Sequence, residues 1–432
     1  MHRGILSFTT VGVLLLAACG STDDGDDATA ATDAASDTDT DTDGDAADTD
    51  GDAADDAAAE SGDASSGVPF AVDQIESSPR NVTASGLDAW NARAVPESVP
   101  APLVDFAEIR SGGPPPDGIP PVDEPRFLQP ADVDFLAENE PVLALEIDGD
   151  ARAYPVQILT WHEIVNDTVG GVPVSVTYCP LCNSAVAYDR RLGDQILDFG
   201  TSGLLWNSAL VMYDRQTETL WSHFTGEGII GELTGQALDD FPLATVAWST
   251  WRDANPDGLV LSRETGFSRQ YGANPYPGYD NVDGVPFLFE GEVDGRYTAL
   301  TRIVGVERDG EALGIPLIDL QAQQVVAAEF DGSPLVAWWT DGVASALDTS
   351  AISQGQDVGA TGVFVPVVDG TELTFTPNGD GFVDDQTGST WNVLGDAVDG
   401  PLTGSELEAL SHVDTFWFAW STFRPDTVVV TE

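Results

Sequence analysis

The chain has 432 residues, of which 73 are acidic and 16 basic, and its formal net charge at pH 7 is −57. All of its basic residues are arginine, and this charge balance argues against nucleic acid and anionic lipid surfaces as binding partners. The composition is typical of a salt-adapted or a very GC-rich source, and it does not separate the two.

Residues 1–19 resemble a bacterial lipoprotein signal peptide. The apolar run from Val11 to Ala18 is shorter than the roughly 20 residues that a membrane helix needs. The run ends in the sequence LAAC, which matches a lipobox and implies cleavage before Cys19 and diacylglycerol on its sulfur. We therefore expect an extracytoplasmic protein whose N-terminal lipid anchors it to the outer or the cytoplasmic membrane, in a compartment that permits disulfides.

Residues 20–66 form a predicted disordered acidic tether. They carry 17 acidic groups and no basic one, and such a segment cannot bury enough apolar surface to offset the entropy lost on ordering. Without the tether and Arg3, the chain has 56 acidic and 15 basic residues, which leaves a net charge near −41. The body itself is therefore strongly acidic.

Residues 67–140 are rich in proline and predict an irregular arm that packs on the body through Phe127, Leu128 and Phe135. From Val142 onward, short alternating runs separated by turns predict strands. The 44 glycines and 27 prolines agree with a turn-rich chain. We expect an α+β fold that is mainly β with short helices.

Residues 161–182 hold both cysteines that remain after the leader. Apolar residues around His162 recur at helical spacing from Ile158 to Val165 and predict a helix that ends at the following Gly-Gly pair. Alternation from Val174 to Cys179 then predicts a strand, which Pro180 ends. The sequence therefore predicts a histidine and two thiols close together.

Each of these residues also has a simpler interpretation. A histidine on an apolar helix face is often a hydrogen-bonded core residue, and His162 alone fits this interpretation as well as a functional one. A cysteine pair in an exported protein is often a static disulfide. However, Cys179 and Cys182 have the C-x-x-C spacing that recurs in metal and redox sites. His223 is a fourth candidate ligand.

The C-terminal part of the chain repeats the middle part. Two pairs of segments carry the repeat: DRQTETLW at 214–221 with DDQTGSTW at 384–391, and AWSTWR at 247–252 with AWSTFR at 419–424. They predict two homologous modules, residues 141–262 and 303–432. A connector joins the modules, residues 263–302. Its tyrosines predict linker packing, with a lid over the site or a sugar-stacking surface as alternatives.

The second copy serves as a comparison for the first. The four candidate residues and their counterparts are His162 and Gln323, Cys179 and Thr340, Cys182 and Val343, and His223 and Val393. Because all four are lost together, we expect the site in the first module only. Trp221 and Trp391 follow the same turn and are predicted to be equivalent buried core residues.

Three segments carry a resemblance to a known family. They are YPVQILTWHEIVNDTVGGVPVSVTYCPLCNSAVAYDR, FGTSGLLWNSALVMYDRQTETLWSH and YGANPYPGY. They resemble the family called domain of unknown function 3179, over most of residues 110–432. The resemblance implies an exported prokaryotic protein and brings no activity with it. That family often has glutamine at the position of His223, which implies that His162, Cys179 and Cys182 are the more secure site residues.

Three kinds of site fit these residues. Zinc or copper would suit an imidazole and two thiolates, with an open coordination position if His223 does not bind. A thiol–disulfide couple is the second, with His162 or Glu163 assisting proton transfer. The third is a structural or ligand-binding lipoprotein in which Cys179 and Cys182 form a static disulfide. The expected ligand is a metal ion or a small molecule, and the sequence does not name a substrate.

Overall fold

The computed structural model describes residues 99–308, 310–379 and 381–430. The predicted lipobox cysteine, Cys19, and the acidic tether lie outside these residues, so the anchor and the tether stay predictions. Within the described part of the chain, no helix is long and apolar enough to cross a membrane.

The described part of the arm contributes two short strands, β1 (Ile109–Ser111) and β2 (Phe127–Leu128). It also has 3-10 turns at Phe106–Glu108 and Pro130–Asp132. Strand β2 pairs with the first module, and the Phe127 ring packs edge-on against Tyr154 at 6.0 Å. The arm therefore packs on the body here, as predicted.

The first module contains fourteen of the described strands and two helices. The strands are β3 (Pro141–Ile147), β4 (Asp150–Pro155), β5 (Ile164–Val169), β6 (Val172–Cys179), β7 (Ser184–Asp189), β8 (Arg191–Leu192), β9 (Gln195–Ile196), β10 (Phe199–Trp206), β11 (Ala209–Asp214), β12 (Leu220–Ser222), β13 (Gly228–Ile230), β14 (Asp240–Phe241), β15 (Ala244–Ala247) and β16 (Leu259–Leu261). The helices are α1 (Val156–His162) and α2 (Trp248–Ala254).

The second module contains a matching set. The strands are β17 (Arg302–Arg308), β18 (Glu311–Pro316), β19 (Val325–Phe330), β20 (Ser333–Thr340), β21 (Ala360–Val365), β22 (Val367–Val368), β23 (Thr371–Glu372), β24 (Phe375–Asn378), β25 (Gly381–Asp384), β26 (Thr390–Trp391), β27 (Ala397–Asp399), β28 (Glu408–Ala409), β29 (His412–Phe416) and β30 (Val428–Val429). The helices are α3 (Leu317–Gln323) and α4 (Trp417–Phe423), and a 3-10 turn lies at Ile352–Gln354.

Each module has three larger sheets with corresponding strand orders and one two-stranded sheet, β8-β9 in the first module and β22-β23 in the second. In the first sheet, the order β15-β3-β4-β16-β2 corresponds to β29-β17-β18-β30. In the second sheet, the order β14-β7-β6-β5 corresponds to β28-β21-β20-β19. In the third sheet, the order β10-β11-β12-β13 corresponds to β24-β25-β26-β27. The arm adds β2 to the first of these sheets and β1 to the third. The two tandem modules and the mainly β fold with short helices are as predicted.

The tryptophans Trp221 and Trp391 occupy equivalent places in the two modules. Both are fully buried, and their indole N–H groups donate to Asp214 and Asp384 at 2.9 and 3.0 Å. The carboxylate also accepts the amide N–H of the turn residue three positions further on. The D-x-Q-T turn and its tryptophan are thus one repeated anchor, which confirms the prediction.

One predicted element is wrong. Helix α1 ends at His162, and residues 164–169 form strand β5. The helix stops because Glu163 adopts a left-handed backbone with φ 59°. Gly170 and Gly171, predicted as the helix end, both have positive φ and make the tight turn between β5 and β6. Strand β5 is buried on both faces except at Thr168, so its sequence lacks the alternation that identifies a half-exposed strand.

Candidate functional site

The two cysteines lie at the turn between β6 and β7. Strand β6 ends at Cys179 and β7 begins at Ser184, and these two residues are paired across the hairpin. Asn183 closes the turn with φ 50°. Cys179 and Cys182 are free thiols with 2% and 0% of their surface exposed. The hairpin therefore presents two reduced sulfurs inside the protein.

The environment of Cys179 stabilises a thiolate. Burial acts to raise its pKa, but hydrogen bonds to the sulfur outweigh burial, and the pKa is lowered. These bonds come from the Cys182 thiol and from the amides of Leu210, Cys182 and Leu181. The pKa of Cys182 is raised well above its usual value by burial and by the neighbouring Cys179. Of the two sulfurs, Cys179 therefore loses its proton more readily and Cys182 holds its proton more strongly.

A chain of hydrogen bonds leads away from Cys182. The donor and the acceptor of each bond can be assigned by starting from the Val186 carbonyl at the far end of the chain. The Thr177 hydroxyl donates to Val186 O at 2.9 Å, so it accepts the Nδ1–H of His223 at 3.0 Å. Burial lowers the pKa of His223 to about 4, so its Nε2 is free to accept from the Ser184 hydroxyl at 2.8 Å. The Ser184 oxygen lies 2.9 Å from the Cys182 sulfur and accepts its S–H when that single proton is turned away from the Cys179 sulfur. A proton leaving Cys182 can thus pass through Ser184 to His223.

Glu163 is the second titratable group beside the cysteines. Its position directly after α1, with a left-handed backbone, turns it inward, and 7% of its surface is exposed. Burial, and next the negative charge of Cys179, raise its pKa to about 8. At neutral pH it is therefore a carboxylic acid next to Cys179, which is suited to exchanging a proton with sulfur.

His162 does not join this cluster through any contact of its ring. Its Nδ1 lies 2.7 Å from Pro120 O and therefore donates, so Nε2 accepts the Tyr271 hydroxyl at 2.6 Å. Tyr271 in turn lies 2.6 Å from the Thr265 hydroxyl. Burial lowers the pKa of His162 to about 4, which keeps the ring neutral. Both ring nitrogens are thus occupied, and the histidine fixes the connector to α1.

The connector and the second module cover the cysteines. Residues 263–301 contain no helix or strand, and Tyr276 and Tyr279 are half-buried over the site. The pKa values of both tyrosines are raised first by burial and then by neighbouring groups that include Cys179. Leu347 of the second module belongs to the same apolar cluster as the two cysteines. The aromatic stretch therefore packs against the cysteine cluster, an arrangement that fits both linker packing and a lid.

The four predicted metal ligands are only partly brought together. Cys179 and Cys182 are in contact, His223 is linked to them through Ser184, and His162 points to Pro120 and Tyr271. Within residues 99–308, 310–379 and 381–430, no group of three or more His, Cys, Asp or Glu side chains is arranged to hold a metal ion. Metal binding stays a prediction.

Sequence reasoning missed Ser184 and Thr177. Their counterparts in the second module are Ala360 and Trp338, which cannot continue a proton path. The constant offset between the copies pairs Thr177 with Trp338, and this exchange is a signal that was available. Ser184 was hidden because the connection after β20 is much longer than the turn after β6, so the offset changes there.

Comparisons with known proteins give one match. The family model described as Protein of unknown function (DUF3179) matches residues 116–427 of the chain. The match includes the first module, the connector and all but the last five residues of the second module, and it confirms the resemblance that the three sequence segments carry. No curated protein and no solved structure matches the chain.

Proposed function

The chain belongs to the DUF3179 family, and we propose that its Cys179 and Cys182 form a thiol–disulfide redox couple. The observation that carries the proposal is the contact between two free thiols whose pKa values are shifted in opposite directions. A lowered pKa supplies a thiolate for attack, and a neighbouring protonated thiol resolves the intermediate. A static disulfide needs neither property.

The reaction balances over two exchanges. The Cys179 thiolate attacks one sulfur of a partner disulfide, the partner S–S bond breaks, and the departing thiolate takes a proton from the Glu163 carboxyl. Cys182 then loses its proton through Ser184 to His223, and its sulfur attacks Cys179. The mixed disulfide breaks, and the second partner sulfur leaves as a thiolate that takes the proton held by His223. The partner gains two electrons and two protons, and the protein gains a Cys179–Cys182 disulfide.

Access limits the partner to a small or narrow molecule. Both sulfurs are almost fully buried, and the half-buried rings of Tyr276 and Tyr279 lie over them. A low-molecular-weight disulfide or an extended cysteine segment fits such an entrance better than a folded protein surface. The acidic body would also attract cationic partners over anionic ones.

The test is a redox titration of the full chain in a Cys19→Ser background, so that only two thiols are counted. The protein is equilibrated with mixtures of reduced and oxidised glutathione, quenched with an alkylating agent and weighed by mass spectrometry. We expect one two-electron transition between dithiol and disulfide. Cys182→Val, which copies Val343 of the second module, should instead trap one glutathione on Cys179.

The same reduced sample decides between the alternatives. Stoichiometric zinc or copper that both Cys179→Ser and Cys182→Val abolish would replace the redox couple with the predicted metal site. A Cys179–Cys182 disulfide that never reduces across the glutathione range would favour the static alternative. Either result would overturn the proposal.

A further inference from the structure

The carbonyl groups of the cysteine turn are held by residues from outside the first module. The Tyr279 hydroxyl, in the connector, donates to Leu181 O at 3.0 Å and accepts the Phe287 amide at 3.1 Å. In the second module, the Thr415 hydroxyl donates to Cys182 O at 2.7 Å, and the Phe416 amide donates to the same oxygen at 3.1 Å. Two consecutive peptide groups of the turn are thus fixed from outside.

Peptide geometry connects these bonds to the Cys179 sulfur. A trans peptide is planar, and its C=O and N–H point in opposite directions. The carbonyl of Leu181 and the amide of Cys182 belong to one peptide group. When Tyr279 holds the carbonyl, the amide at the other end is aimed at the Cys179 sulfur, to which it donates. Holding Cys182 O fixes the next peptide, so the backbone on both sides of Cys182 is set.

We propose that Tyr279 and Thr415 are positioning residues that hold the turn in the conformation in which its amides point at the Cys179 sulfur. The site of the first module is then complete only when the connector and the second module are docked on it. The role of this positioning in thiol chemistry rests on the proposed function. The hydrogen bonds that hold the turn are present whether or not the thiols react.

The repeat provides the variants for the test. Thr415 corresponds to Val246, because Thr415 pairs with Ile303 in β17 as Val246 pairs with Val142 in β3. This strand register aligns Ala247 with Phe416 and so corrects by three residues the alignment of AWSTWR with AWSTFR that the sequence suggested. Thr415→Val therefore introduces a residue that the same fold already accepts at that place. Tyr279→Phe removes one oxygen and keeps the ring, which packs edge-on against Phe416 at 6.0 Å.

The measurement is the ultraviolet absorbance of the thiolate as a function of pH, in the reduced full chain with a metal chelator and Cys19→Ser. Subtracting the absorbance of the same protein that also carries Cys179→Ser leaves the absorbance of the Cys179 thiolate. Because absorbance needs no reagent to enter, looser packing of the connector does not change the result. We expect each variant to move the midpoint of the Cys179 titration to higher pH. The ionisation constant of the thiol should fall by about threefold to tenfold, because one hydrogen bond is lost. The double variant should move the midpoint further.

Matched controls make the same chemical changes elsewhere. Tyr297→Phe alters a connector tyrosine that packs on Trp417, and Thr422→Val alters a hydroxyl that donates to its own helix at Phe418 O. Both should leave the midpoint unchanged.

An unshifted midpoint in both single variants and in the double variant overturns the inference. If Thr415→Val does not fold, Thr415→Ser must restore both folding and the midpoint, and Tyr279→Phe decides alone. The titration uses no partner disulfide, so its outcome is separate from the glutathione result. Shifted midpoints without glutathione exchange would reject the redox function and support the positioning roles.

Discussion

The two modules end their first helix in the same way but place different chemistry there. Glu163 follows α1 with φ 59°, and Gln324 follows α3 with φ 61°. The Glu163 carbonyl accepts the amide N–H of Tyr178 in β6, and the Gln324 carbonyl accepts that of Trp339 in β20. Tyr178 and Trp339 are each the second-last residue of their strand. Glu163 is nearly fully buried near Cys179, whereas Gln324 is only partly buried. The backbone conformation is thus a property of the fold, and the acidic group is a property of the site.

The hairpins after these helices differ more. The first module closes β6 and β7 with a four-residue turn, and the second joins β20 and β21 with a connection of residues 341–359. That connection hydrogen-bonds to the connector, for example from the Gly278 and Tyr279 amides to Asp348 O and Leu347 O. The second module has therefore exchanged a site-bearing turn for a segment that helps to cover the site of the first.

The largest effect that separates the modules should come from their tryptophan anchors. Trp391 lies in an apolar cluster without the cysteines, whereas Trp221 shares a cluster with Cys179 and Cys182. Trp391→Ala should lower the free energy of unfolding by about 3–5 kcal/mol, as large core truncations do, and leave the glutathione midpoint unchanged. Trp221→Ala should cause a similar loss and also shift that midpoint.

Chemical denaturation and the glutathione titration measure the two effects separately. Equal shifts of the midpoint in Trp221→Ala and Trp391→Ala would show that the redox pair responds to global stability, and the division of roles between the modules would be wrong.

Much of this comparison was visible in the sequence. The repeat, most strands, the buried tryptophans and the cysteine pair follow from local patterns and from matching the copies. Glu163 was identified only as an alternative proton-transfer group, because a glutamate at a helix end is usually solvated. Its neighbours include Tyr276 of the connector, whose pKa is raised first by burial and next by Glu163, and the connector is remote in sequence and has no periodic pattern.

The rest of the site depends on contacts between distant segments. The direction of the His162 ring is set by Pro120 and Tyr271, which lie on either side of it in sequence. The donor to Cys182 O is Thr415, more than two hundred residues away. No local spacing encodes such contacts, so the sequence placed His162 with the thiols although its ring faces elsewhere.

The second prediction concerns the pH dependence of stability. With a pKa of about 8 in the folded state and about 4.3 in the unfolded chain, Glu163 keeps a proton on folding that the unfolded state releases. Between these values the unfolded state binds fewer protons, so stability falls as pH rises from about 4.3 to 8. Glu163→Gln, which copies Gln324, should remove this slope, so that its gain in stability over the unchanged protein grows by about 3–4 kcal/mol from pH 5 to pH 8.

Unfolding curves of both proteins at pH 5 and pH 8 measure the effect. The gain should be small at pH 5 and larger at pH 8. Parallel curves for Glu163→Gln and the unchanged protein would mean that the carboxyl titrates normally and is not the acid beside Cys179.

The smallest effect on stability is expected from the reverse exchange, Gln324→Glu. This variant tests what causes the raised pKa of Glu163. Both positions lie at a helix C-terminus, where the exposed carbonyls disfavour a negative charge and would raise a carboxyl pKa. If the helix end dominated, Gln324→Glu would introduce the same loss of stability with rising pH as Glu163.

In our interpretation burial under the connector dominates, since burial is the first cause of the Glu163 pKa shift and the charge of Cys179 is the second. Gln324 is only partly buried and has Thr340 in place of that cysteine. Gln324→Glu should therefore change stability by less than about 0.5 kcal/mol, equally at pH 5 and pH 8.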